Sequence, residues 1–173
     1  TFYDDAARPG TAELVGATMR SGGSKGYDAD LMNETLEFLG ASVETSMGEE
    51  SGSAGFTCLS KHAATVLPIF ADVLKNPVFR EDKFTVEKEQ LLDGIRRRND
   101  DPRQIARRET RRILFGAAHP YGRRYEAAEV ASITPADLAA FHKKYFVPRA
   151  VVLALSGDFD RKRMLAELEE VFA

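Results

Sequence analysis

A chain of 173 residues that is 43% hydrophobic and 29% charged is long enough to bury one sizeable core. Its formal charge of −3 argues against a general attraction to nucleic acid, and no apolar run approaches the roughly 20 residues needed to span a membrane. Cys58 is the only cysteine, so an internal disulfide is excluded.

The pattern predicts a first helix over 10–20, with Leu14, Ala17 and Thr18 on one side, stopped by Ser21-Gly22-Gly23-Ser24-Lys25-Gly26. Asp28 is placed to cap a second helix reaching Leu39, whose Leu31, Thr35, Phe38 and Leu39 make an apolar stripe. Gly40 supplies its stop, expected in the left-handed conformation that glycine adopts without steric cost. Alternation over 41–47 predicts a strand, Gly48-Glu49-Glu50-Ser51 a turn, and 52–59 an antiparallel return. Ser60 is expected to cap a helix that continues through Val66, Ile69, Phe70, Val73 and Leu74 to about Lys75, where Asn76-Pro77 breaks it.

A long charged helix is predicted over 81–99, interrupted at Asp100-Asp101-Pro102 and resumed over 103–115. A loop over 116–129 contains His119-Pro120-Tyr121-Gly122, Thr134 caps a short helix to Tyr145, and Val147-Pro148-Arg149 leads into a strand over 150–156. Gly157-Asp158 turns this into a last helix from Asp160. With no internal repeat or low-complexity segment, the order predicts an α+β fold: an antiparallel or mixed sheet packed against helices. The opening ten residues read as a loop that follows a strand, and Val171-Phe172-Ala173 stops within a helix. Residues 1–173 are therefore expected to be a single domain and a fragment of a longer chain, lacking its first strands.

The residues that carry chemistry are sparse. His62, His119 and His142 each lack a second ligand at metal-binding spacing, and read as turn or surface histidines. Cys58 reads as a buried, inert thiol at the end of a strand. The run Arg96, Arg97, Arg98, Arg103, Arg107, Arg108, Arg111 and Arg112 is interleaved with Asp93, Asp100, Asp101 and Glu109. It has no aromatic platform for bases, so it reads as a solvated or inter-domain ion-pair face rather than a nucleic-acid site.

Several segments, in order, resemble the insulinase-type (pitrilysin-like) zinc metallopeptidases, peptidase family M16. They are Pro9-Gly10-Thr11-Ala12-Glu13-Leu14-Val15-Gly16-Ala17-Thr18-Met19, Leu36-Glu37-Phe38-Leu39-Gly40-Ala41-Ser42, Asn76-Pro77 with Phe79, and Glu87-Lys88-Glu89-Gln90-Leu91-Leu92-Asp93-Gly94-Ile95. Asp100-Asp101-Pro102, His119-Pro120-Tyr121-Gly122, Ile133-Thr134-Pro135-Ala136-Asp137-Leu138 and Ser156-Gly157-Asp158-Phe159-Asp160 complete the series. The first of these stands where the family carries the inverted motif H-x-x-E-H, whose histidines hold zinc and whose glutamate acts on the attacking water.

In that alignment the motif positions read Glu13, Gly16 and Ala17, and the third ligand position reads Gly94, 77 residues beyond Ala17. Asp93 is adjacent, but a neighbouring helix position points about 100° away. Glu13 reads as a solvated or ion-paired carboxylate favoured by the helix dipole. The resemblance thus implies no catalytic residue and no metal ligand in this chain, with zinc expected only in a partner. Histidine at 13 and 17 with glutamate at 16 and 94 is expected to create zinc affinity.

What the resemblance implies for function is a non-catalytic domain or subunit, inactive on its own. It would pair with a homologous second domain and a zinc-bearing subunit of the same family to enclose unfolded peptide, with no nucleic acid. Members bind substrate in extended form beside an edge strand, which here matches Val43-Glu44-Thr45. Arg123, Arg124 and Tyr125 are not the Arg and Tyr that some zinc-free halves lend to a partner's active site, since that pair lies in a following domain. The alternatives are a structural or binding scaffold with no peptidase role, and an active zinc endopeptidase that draws its ligands from elsewhere.

Overall fold

The computed structural model describes residues 1–5 and 7–172; the expected close at Ala173 lies outside them. Helix α1 (Thr11–Ser21) begins after Gly10, whose φ of 98° is in the left-handed region. No adjacent side chain caps it. Asp4 does so instead, accepting from the amides of Gly10 at 3.2 Å and Ala12 at 2.8 Å and placing negative charge at the helix start.

Helix α2 (Ala29–Leu39) is capped by Asp28, which accepts from the amides of Asp30 and Leu31, and ends at Gly40 with φ 58° and ψ 36°. The expected apolar stripe is displaced. Met32 and Leu36 are buried, whereas Leu31 is 62% and Phe38 89% exposed. One residue turns a helix by about 100°, so choosing 31 and 38 instead of 32 and 36 selects the neighbouring face.

Strands β1 (Ser42–Met47) and β2 (Gly52–Thr57) pair antiparallel from Ser42 opposite Thr57 to Met47 opposite Gly52, as the alternation predicts. A 3-10 turn (Ser60–His62) then leads into α3 (Ala63–Lys75). Ser60 opens that turn rather than capping α3, whose start has no side-chain cap.

Helices α4 (Glu81–Arg97) and α5 (Pro102–Phe115) follow, the second capped by the Asp101 side chain at the amide of Arg103. The segment expected to be a loop contains a short helix, α6 (Ala127–Ala131), held by reciprocal bonds between Glu126 and Glu129. The Thr134–Asp137 capping box opens α7 (Pro135–Tyr145), and α8 (Arg161–Phe172) closes the described chain.

The strand expected over 150–156 is not formed. Pro148–Ala150 is a 3-10 turn, and the following apolar run, extended at Val151, is unpaired, with Val152 96% exposed. A strand exists through the backbone bonds of its neighbour, and among the described residues the sheet is two-stranded, β1 with β2. The fold is α+β, helix-rich around one antiparallel hairpin, and among the described residues no helix is long and apolar enough to cross a membrane.

Two apolar clusters hold this arrangement. In the first, Ala12, Leu14, Val15 and Met19 of α1 meet Phe84 and Leu92 of α4, Val130 of α6, Ile133, and Leu138 and Phe141 of α7. The second centres on α3, where Val66, Leu67, Ile69, Phe70 and Val73 meet Met32, Leu36, Val43 and Met164. Each large apolar side chain so buried contributes about 1.5–3 kcal/mol. Helix α1 therefore sits with its apolar face in the first cluster and the start of β1 fixed by the second.

Candidate functional site

Glu13, Gly16 and Ala17 lie at i, i+3 and i+4 on α1, hence along one face. The Glu13 carboxylate accepts a hydrogen bond from the Tyr125 hydroxyl at 2.5 Å. The Tyr125 ring packs against the first cluster, close to where a side chain on Gly10 would lie and beside Leu91. Burial first, and the negative Glu13 second, push the Tyr125 hydroxyl far above its ordinary pKa, so it remains a proton donor. The Tyr125 carbonyl is in turn held by Arg98 Nη1 at 3.2 Å.

Gly16 is walled in. A Cβ there would stand 2.6 Å from the backbone nitrogen of Met47 and 2.9 Å from the carbonyl carbon of Ser46, so α1 and β1 touch backbone to backbone. The Gly16 carbonyl also accepts from Thr45 Oγ1 at 2.7 Å. Ala17 contributes only a methyl group. Gly94 sits on an exposed face of α4, where a Cβ would meet nothing within 4 Å.

This donor set does not fit zinc. One carboxylate, Glu13, is already committed to Tyr125, and the other three positions carry no lone pair. Among the described residues no group of three His, Cys, Asp or Glu side chains is gathered so as to hold a metal.

The histidines stand apart, on different elements. His62 ends the 3-10 turn. His119 stacks on Phe115 with ring centres 5.5 Å apart, and its Nδ1 accepts from the Tyr121 amide at 3.2 Å. His142, half-buried on α7, has Nε2 2.8 Å from the Leu74 carbonyl, so that nitrogen carries the proton. Burial lowers its pKa more than this bond raises it. Cys58 is half-buried just after β2, and burial raises its thiol pKa, which disfavours the thiolate.

In the expected edge strand, Val43 is fully buried and its carbonyl accepts from Arg20 Nε at 2.9 Å. Thr45 is tied to Gly16, while Glu44 is exposed opposite Gly55. Helix α1 thus takes up two of the three residues.

The structure brings together a different set. Gly94, Arg97, Arg98, Gln104 and Arg108 line a groove of about 350 Å³ between α4 and α5. Arg97 pairs with Asp93 at 2.9 Å and Arg98 with Glu126 at 2.7 Å. Arg108 donates to the Arg98 carbonyl at 3.0 Å and to Asn99 Oδ1 at 2.8 Å. Arg98, more than any other neighbour, holds the Glu126 carboxyl below the ordinary range. The dense arginines over 96–112 were the sequence signal; which of them share a groove depends on where the turn over 98–101 sets α5 relative to α4.

Residues 1–123 match the family model described as insulinase (peptidase family M16), and residues 132–173 match that of the peptidase M16 inactive domain. Both matched stretches contribute to the first apolar cluster, α1 with α7. An uncharacterized zinc protease of Mycobacterium tuberculosis is 27% identical over 141 residues, covering 80% of this chain and 32% of that one. An uncharacterized zinc protease of Rickettsia bellii is 21% identical over 173 residues, 99% of this chain and 42% of its own. The chain thus spans about a third to two-fifths of the length of these relatives.

Among solved structures, a peptidase M16 inactive domain from Pseudomonas fluorescens superposes with a TM-score of 0.73 at 30% identity, over 81% of this chain and 34% of that one. A protease from Helicobacter pylori gives a TM-score of 0.82 at 18% identity, over 98% and 41%. The periplasmic protease PqqL of Escherichia coli gives 0.79 at 21%, over 96% and 19%. The last two establish likeness of fold.

Proposed function

Since the chain belongs to the insulinase family of peptidases, M16, we propose that it is a non-catalytic member of that family, which assembles with a zinc-bearing homologue to enclose unfolded peptide. The observation that carries this reading is Gly16. Where the family resemblance puts the glutamate that acts on water, the helix and β1 are in backbone contact, and no side chain fits between them. Glu13 and Tyr125 close the neighbouring ligand position by bonding to each other. The Pseudomonas fluorescens neighbour, described as an inactive domain, lends the reading further support. What remains for such a domain is shape, a charged wall and an interface, and obligate interfaces of this kind commonly bury more than about 2,000 Å².

The test uses the full-length protein, purified alone and co-expressed with a homologue that carries the H-x-x-E-H motif. The protein alone is expected to hold no stoichiometric zinc after dialysis and to leave unstructured peptides intact, with cleavage appearing only in the co-purified complex. About one tightly held zinc per chain, by elemental analysis, would sink the proposal. So would failure of the two proteins to associate at micromolar concentration when the homologue is fully active by itself. Stable assembly without any zinc-bearing member would favour the scaffold reading instead.

A further inference from the structure

We propose that the groove between α4 and α5 binds the carboxylates of acidic peptide segments. Its lining is rich in donors. Arg97, Arg98 and Arg108 supply guanidinium groups, Gln104 an amide, and Gly94 leaves the floor without a side chain. No carboxylate and no aromatic ring is among the lining residues.

The charge around it is unbalanced. Four arginines, Arg97, Arg98, Arg108 and Arg124, share three carboxylates, those of Asp93, Glu109 and Glu126. Arg103, Arg107 and Arg112 on α5 stand outside ion-pair distance of any carboxylate among the described residues. A local positive surplus therefore sits on a chain whose net charge is −3, and three of these arginines, Arg97, Arg98 and Arg108, line the cleft itself.

The guanidinium groups are also held in place. Arg98 is fixed by the Tyr125 carbonyl and Glu126, and Arg108 by the Arg98 carbonyl and Asn99. An arginine already oriented loses less side-chain freedom on binding, and its planar fork matches a carboxylate in two parallel hydrogen bonds. A groove of about 350 Å³ is at the small end of ligand pockets, the size for one or two side chains of a longer segment. Bases are less favoured because the lining has no aromatic ring to act as a stacking platform.

That the ligand is a peptide rests on the function proposed above. The binding is measured on this protein without its partner, so a failure here leaves the assembly question standing, and the reverse. The probe is a fluorescent unstructured peptide of roughly twelve residues carrying about four glutamates, followed by anisotropy. The expected result is binding about tenfold tighter than that of the same peptide with glutamine at those positions, weakening as salt is raised.

Gly94→Glu is the decisive variant. It places a carboxylate in the groove where space is free, so it should fold, by circular dichroism and thermal melting, while binding the acidic peptide at least about tenfold more weakly. Arg149→Gln removes an equal charge from a turn outside the groove and should leave the affinity within about twofold. Equal binding of the glutamine peptide, or undiminished binding by Gly94→Glu, overturns the proposal. Tighter binding of a single-stranded oligonucleotide of the same charge overturns it as well, in favour of nucleic acid.

Discussion

Gly16 and Gly94 both stand where the family resemblance puts a glutamate, and their surroundings are opposite. At Gly16 the absence of a side chain lets α1 lie against the backbone of β1, with Thr45 bonded across the junction. At Gly94 the absence leaves a cleft lined by Arg97 and Arg98 at the end of α4 and by Arg108 of α5. The first glycine is required by the packing of the fold. The second is required by nothing in the fold, which makes its open floor available for binding. The same substitution is therefore structural on one side of the domain and chemical on the other.

The largest effect should come from making that substitution at each place. Gly16→Glu forces a Cβ to within 2.6 Å of a backbone nitrogen, and overpacking against backbone that cannot yield costs about 3 kcal/mol or more. Urea denaturation is expected to show it strongly destabilised or unfolded. Gly94→Glu is expected to gain up to about 1 kcal/mol, because glycine is the poorer helix former on an exposed face. Equal stabilities of the two variants would erase the distinction. The asymmetry also revises the expectation that four substitutions restore zinc affinity: the glutamate at 94 can be accommodated, whereas the one at 16 has no space until α1 and β1 separate.

A smaller effect should follow from cutting the bond between Tyr125 and Glu13, at another position that the resemblance matches to the motif. Tyr125→Phe keeps the ring in the first cluster and removes the hydroxyl that donates to Glu13. The loss should be about 1–2 kcal/mol in the same denaturation experiment. In the wild type, ultraviolet titration should find one tyrosine still protonated well above the ordinary value of about 10, and that signal should vanish in Tyr125→Phe. A variant as stable as wild type with an unchanged titration would mean that the Glu13–Tyr125 contact does not close the site.

Most of the fold was legible because its signals are local. Asp28 and Gly40 bracket α2, Thr134 opens α7, and the alternation of 41–47 sets the hairpin. What failed depended on neighbours far along the chain. The buried face of α2 is chosen by α3 and β1, and the apolar run 151–156 forms no strand because no described segment pairs with it. The short helix α6 is announced by Glu126 and Glu129, a capping pair with glutamate in place of the usual serine or threonine. In the site, the resemblance matched Glu13, Gly16, Ala17 and Gly94 to the motif positions. It could not show that Glu13 had found Tyr125, 112 residues away, or that Gly16 and Gly94 differ.

The smallest expected effect separates the two sides by pH. His142 lies on the packed side, bonded to the end of α3 and stacked on Phe146. Burial lowers its pKa from 6.5, so the folded protein resists protonation where the unfolded chain accepts it. As pH falls below about 6.5 the unfolded state binds the proton first. The contribution of neutral His142 is therefore complete above that pH and declines until the folded pKa is passed. Denaturant melts between pH 7 and 5 should show wild type losing stability relative to His142→Gln, by less than the Tyr125→Phe effect. Guanidinium groups keep their charge, and the glutamates of the peptide stay ionised, between pH 7 and about 6, so over that span acidic-peptide binding at the α4–α5 groove should stay constant while stability drifts. A parallel fall in both would mean that the groove depends on the packed side, and that the two glycines do not mark independent regions.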